Sequence, residues 1–193
     1  MPSEHIDAYV KANEQRMLDE LRAYLGVPSF AATGEGIEEG VARTRDILKS
    51  RGAEVQILDA GGHPVVYGEI KGQSEKSLLL YQHYDVLPPG DLAKWDSPPF
   101  EAAVRDGKVF ARGAADHKGS FMSRVHAVDA LLSAGPLPVT VKFLVEGEEE
   151  IGSPNLGAAL DKYRELLRAD AALYSGWWHD EKDRPRINCG MSG

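Results

Sequence analysis

"SLLLYQHYDVLPPGDLAKWDSPPF", residues 77–100, begins as a strand and ends as something else. The apolar run Leu78-Leu79-Leu80 is continuous rather than alternating, the pattern of a strand covered on both faces. His83-Tyr84-Asp85 follows at once, then a proline-rich loop that carries Trp95. A chain that leaves a buried strand through a histidine and an aspartate sets ligand-type side chains at the strand's carboxyl end. What else arrives at that edge decides the reading.

Upstream, residues 3–25 have apolar positions of helical period, with Ser3 as a plausible N-cap. "VPSF" (27–30) ends that helix. Residues 37–50 read as a second helix, closed by Gly52 near Arg45, Lys49 and Arg51. "EVQILD" (54–59) and "VVYGEIK" (65–71) are short and rich in β-branched residues, as strands are.

Downstream, residues 102–112 read as a hairpin turning at Asp106-Gly107, and 117–134 as a helix. A strand at 139–146, a helix at 154–168 and a strand at 170–175 complete the series. Strand, long loop, helix, strand, helix, strand is the order of crossover connections. The predicted fold class is α/β: a mixed, largely parallel sheet with helices on both faces.

The 193 residues, 42% hydrophobic and 27% charged, suit one globular domain. A net charge of −8 argues against nucleic acid or an anionic membrane as partner. Cys189 is the one cysteine, so no internal disulfide framework is expected and a reducing compartment is. The N-terminus lacks the basic start and apolar core of a signal peptide, and no apolar stretch reaches the length of a membrane span. The expected location is cytoplasmic. No G-x-G-x-x-G or P-loop pattern marks a nucleotide site.

Open α/β sheets hold their chemistry beyond the carboxyl ends of parallel strands. Strand 77–82 delivers His83 and Asp85 there, strand 139–146 delivers "EGEEEIGS", and strand 170–175 delivers "SGWWHDEKD". "FARGAADHKGS" (110–120) brings Asp116 to the start of a helix. Histidine with several carboxylates suits zinc, cobalt or manganese. Asp85 could accept a ring N–H from His83 and fix its tautomer. A carboxylate such as Asp116 could bridge two ions about 3.5–4 Å apart. Each residue also has an ordinary reading: a structural histidine, a helix N-cap, a solvated acidic turn. Spacing alone leaves both open.

"SLLLYQHYDVLPPGDLAKWDSPPFEAAVRDGKVFARGAADHKGS" followed by "FLVEGEEEIGS" resembles the co-catalytic zinc peptidase and deacylase family. Its members include carnosinase-type dipeptidases, glutamate carboxypeptidase, acetylornithine deacetylase, succinyl-diaminopimelate desuccinylase and aminoacylase. The resemblance implies that His83, Asp116 and Glu150 bind metal, Asp116 between two zinc ions. It also implies that Asp85 orients His83, that Glu149 is the general base and that the Asp116–His117 peptide is cis. A register slipped by one would give the glutamate roles to Glu148 and Glu149. Substrates would be dipeptides or N-acyl amino acids, and the complete protein a homodimer.

Two departures stand out. Where the family places a carboxylate ligand after the strand at 170–175, this chain has Ser175-Gly176, with His179 and Asp180 as possible substitutes. His117, His126 and His179 otherwise read as helix or surface histidines. Further, "INCGMSG" (187–193) resembles the point where the family's lid and dimerisation domain begins. Residues 1–193 are therefore expected to be the N-terminal part of a metallopeptidase catalytic domain, without lid or C-terminal return. Such a segment should expose a sheet edge and self-associate. The rival reading is a non-catalytic α/β segment that keeps the fold with at most weak metal binding.

Overall fold

Leu78, Leu79 and Leu80 turn alternately to two apolar layers on opposite faces of a five-stranded sheet. The computed structural model describes residues 2–174 together with 181, 182 and 184. The strands are β1 (Glu54–Leu58), β2 (Val65–Ile70), β3 (Ser77–His83), β4 (Ala103–Arg105), β5 (Lys108–Phe110), β6 (Thr140–Glu146) and β7 (Ala171–Tyr174). The helices are α1 (Pro2–Leu25), α2 (Ile37–Lys49), α3 (Lys118–Ala134), α4 (Leu156–Lys162) and α5 (Arg164–Leu167).

The main sheet runs β1-β2-β6-β3-β7. Its β6-β3-β7 half is parallel, while β2 pairs antiparallel with both β1 and β6. The sheet is thus mixed, as expected. Side chains from α1, α2 and α3, among them Tyr24, Leu48 and Phe121, pack on one face with Val66, Leu80 and Phe143. Ala159 of α4 and Leu167 of α5 cover the other face over Tyr67 and Leu144. Phe121 and Phe143 are fully buried, and truncating either to alanine is worth roughly 3–5 kcal/mol.

This layering locates a crevice. The connection from β3 to β6 runs through α3 on one face, and that from β6 to β7 runs through α4 and α5 on the other. Neighbouring parallel strands whose connections leave to opposite faces open a gap beyond their carboxyl ends. His83 and Glu146 pair across that gap as the last residues of β3 and β6.

The smaller elements follow local chemistry. Strands β4 and β5 form the predicted hairpin, and Asp106 (φ 49°) and Gly107 (φ 72°) both take the positive φ such a two-residue turn demands. Two details differ from the sequence reading. Helix α1 already begins at Pro2, so Ser3 lies inside it. The helix expected over 154–168 breaks at Tyr163, whose hydroxyl reaches the Asp59 carbonyl at 3.3 Å while Leu166 and Leu167 pack on the sheet. Among the described residues no helix is long and apolar enough to cross a membrane.

Candidate metal centre

His83 ends β3 with its ring fully buried. Its Nε2 lies 3.1 Å from Asp116 Oδ1 and 3.9 Å from Glu149 Oε2. On the other side, Nδ1 meets the Asp85 main-chain oxygen at 3.0 Å and the Asp85 carboxylate at 3.3 Å. Only the main-chain contact has hydrogen-bond geometry: the Asp85 backbone oxygen, rather than the expected carboxylate, partners the ring nitrogen, and the carboxylate stands close by without that bond. The second Asp85 oxygen accepts the Glu150 N–H at 2.9 Å and so ties β3 to the turn after β6.

Asp116 arrives on the segment leading into α3. The Asp116–His117 peptide is cis. The Asp116 side chain is 49% exposed and faces the crevice, whereas His117 is buried and stacks on His83 with ring centroids 4.9 Å apart. One donor atom from each of His83, Asp116 and His117 falls within 4.8 Å of the others, a grouping that could hold a metal ion. From the sequence alone His117 reads as a helix or surface histidine. Its signal was position, directly after Asp116 at a helix start that the β3 edge would reach.

Electrostatics couple the group. Burial alone would lower the His83 pKa, but the Asp116 and Asp85 carboxylates outweigh it and raise it to about 10. His83 in turn holds the Asp116 carboxyl below its ordinary range. His117 is pushed down by burial and by the neighbouring His83. Behind them Lys118 is fully buried, donates to the Val27 carbonyl and lies 5.0 Å from the Tyr24 ring centroid. Burial lowers its ammonium to about 7, against the opposing pull of Asp85.

The glutamates after β6 sort by their partners. Glu146 accepts hydrogen bonds from the Tyr81 hydroxyl and from Ser153 Oγ (2.9 Å), and burial raises its pKa. Both Glu148 oxygens take the Asn155 amide, at 2.9 and 3.1 Å, and one also takes the His63 N–H. Glu149 is 32% exposed on the crevice side, within 4 Å of the His83 ring. Glu150 accepts the Leu87 N–H at 3.2 Å, and burial followed by the Asp116 charge raises its pKa. The structure therefore brings His83, Asp85, Asp116 and Glu149 together and ties the Glu150 backbone to the Asp85 carboxylate. Ser175, Gly176, His179, Asp180 and Cys189 lie outside the described residues.

An imidazole-and-carboxylate cluster at the switch point of an α/β sheet defines the chain as an α/β domain with a candidate metal centre. Comparison with known proteins gives the particular family. The model of peptidase family M20/M25/M40 matches residues 79–187, more than half of the chain, and the chain belongs to that family.

Among curated relatives, the probable di- and tripeptidase DUG2 of Saccharomyces cerevisiae is 36% identical over 148 residues, 70% of this chain and 17% of that protein. The human Beta-Ala-His dipeptidase is 29% identical over 98% of this chain and 40% of its own length. Among solved structures, the M20 family metallo-carboxypeptidase Sso-CP2 of Sulfolobus solfataricus aligns with TM-score 0.84 and 41% identity. That alignment covers 88% of this chain and 39% of that one. Human carnosine dipeptidase 1 aligns with TM-score 0.81 and 26% identity, over 88% of this chain and 40% of its own. The chain thus spans at most about two-fifths of these relatives.

Proposed function

We propose that this chain forms the N-terminal, metal-binding part of a hydrolase that cuts the amide bond of dipeptides or N-acyl amino acids. The observation that carries the reading is the His83–Asp116 contact at 3.1 Å with Glu149 beside it at 3.9 Å. The donor set fits zinc, and cobalt or manganese less closely, because it combines imidazole with carboxylate. His83, Asp116 and Glu150 would hold the metal, with His117 as a further imidazole next to Asp116. When bound, zinc polarises a scissile carbonyl and acidifies water.

The protein's own residues supply the rest. Asp85 holds His83 from behind, fixing the ring and its basicity. Glu149 is the group free to move protons, since Glu146 and Glu148 are each occupied by other side chains. It takes a proton from the attacking water as the new C–O bond forms, then passes it to the amine nitrogen as the C–N bond breaks. The partners of Glu148 support this register over the one slipped by a residue.

The coverage of about two-fifths supports placing the lid, the dimerisation domain and the C-terminal return outside this chain. All four β7 residues are exposed and, among the described residues, β7 pairs with β3 alone, which supports a partner surface at that edge. A single cysteine supports a reducing, cytoplasmic setting.

The test is Glu149→Gln, assayed for dipeptide hydrolysis and zinc content in the same preparation. Turnover should fall by about 10²–10⁴-fold with zinc retained. A variant as active as the parent removes Glu149 from the chemistry. Absence of hydrolysis and of zinc in the parent chain favours the non-catalytic reading.

A further inference from the structure

A cavity of about 620 Å³ lies between the β4–β5 hairpin and the loop around Trp95, and none of the candidate metal-centre residues lines it. Its walls are apolar where Leu21, Trp95, Val109 and Phe110 meet it. Phe110 is 40% exposed, and the Arg105 guanidinium lies over its ring. Sites for small molecules fall at roughly 300–1,000 Å³ and combine apolar walls with a few polar groups.

Charge distinguishes this cavity from three others on the molecule. Arg105, Lys94 and Lys108 line it against one carboxylate, Asp96, in a chain of net charge −8. Three other cavities among the described residues are lined by mixed charges with no cationic excess. Among the described residues, none of these three cations has a carboxylate within ion-pair distance, although the chain has 30 acidic residues.

Arg105 is also held in place. Ser97 Oγ accepts from its Nη1 at 3.0 Å, and its guanidinium carbon sits 4.2 Å from the Phe110 ring centroid. One hydrogen bond leaves most of its five N–H donors available, in a fork that suits a carboxylate. A guanidinium fixed beforehand loses less freedom on binding than a mobile one.

We propose that this cavity binds a small organic anion with an aromatic body, the carboxylate meeting Arg105 and the rim lysines and the ring lying between Trp95 and Phe110. Such a site is distinct from the metal centre and stands whether or not the chain hydrolyses amides.

The experiment is calorimetric titration of the chain with sodium naphthalene-2-carboxylate and, separately, with neutral naphthalene-2-carboxamide. EDTA is present throughout, because a carboxylate also coordinates zinc. Saturable binding of one carboxylate per chain is expected, with the carboxamide about ten-fold weaker. Arg105→Gln should weaken the carboxylate by about ten-fold. The double variant Lys94→Gln/Lys108→Gln removes charge without removing a hydrogen bond, and should weaken it several-fold. The double variant alone decides should Arg105→Gln fail to fold. Equal affinity for acid and amide, unchanged affinity in the folded variants, or no saturable binding at millimolar ligand each overturns the proposal.

Discussion

The His83 ring and the Asp116 carboxylate meet at 3.1 Å although one ends β3 and the other precedes α3. Their contact is made by topology: the chain leaves β3, runs through the proline-rich loop and the hairpin, and comes back over the same strand end before entering α3. His117, next in the chain, stacks on His83 and brings a second imidazole to the point.

Elemental analysis after dialysis against zinc should therefore give about one zinc per chain. His83→Ala should abolish stoichiometric binding, because it removes the donor that meets Asp116 directly. His117→Ala should weaken zinc by about ten-fold, the lower end of what supporting groups contribute. Zinc retained in His83→Ala would place the ion elsewhere.

Asp85 gives a sharper test, since it touches no solvent and acts through its neighbours. Its carboxylate lies 3.3 Å from His83 Nδ1 and accepts the Glu150 N–H. Asp85→Asn keeps the shape and loses the charge. Zinc affinity measured by competition with a chelator should fall about 10–100-fold, with the far-ultraviolet spectrum unchanged.

Much of this was legible in the chain. Leu78-Leu79-Leu80 announced a strand covered twice, and Asp106-Gly107 a tight hairpin, because both signals are local. The antiparallel attachment of β2 to β6 was not legible, since strand order depends on packing between distant segments. The site divides in the same way. Glu149 and Glu148 are alike in sequence and part only when Asn155 and His63 occupy Glu148. His117 looked ordinary until the fold set it on His83. Asp85 was read as a partner for His83, yet its tie to the Glu150 backbone needed the β3–β6 register to appear.

Gly147 lies against Tyr84, the residue between His83 and Asp85. A Cβ there would stand 2.1 Å from the Tyr84 hydroxyl, which donates to the Pro64 carbonyl at 2.8 Å. Tyr84 is fully buried and has little room to yield. Gly147→Ala should cost about 1–3 kcal/mol in overpacking and about 1 kcal/mol more for the strained hydrogen bond. The check is a urea midpoint that falls with its slope unchanged. Zinc affinity should fall with it, because Tyr84 moves only with its neighbours.

Far from the site, α1, α3 and the turn after α2 share a charged clasp whose pH response has a definite sign. His126 Nε2 lies 3.0 Å from Glu20, which also pairs with Arg16 and Arg51, and Arg51 reaches Asp129 at 3.1 Å. Burial lowers the His126 pKa below its ordinary 6.5, with the Arg51 charge adding to it and Glu20 and Asp129 opposing. The unfolded chain then takes up the His126 proton first, so stability falls as pH drops through about 6.5 toward the lower folded value. Burial would raise the Glu20 pKa, but His126 and the arginines outweigh it and hold it below 4.5. Its contribution is present above 4.5 and is lost only as pH falls through that depressed value. The melting temperature should decline from pH 7 to pH 5 through His126, with His117, also pushed down by burial, adding in the same direction. His126→Gln, which can still donate to Glu20, should flatten that decline while leaving the steeper loss below pH 4.5. An equal decline in parent and variant between pH 7 and 5 would move the effect to another group.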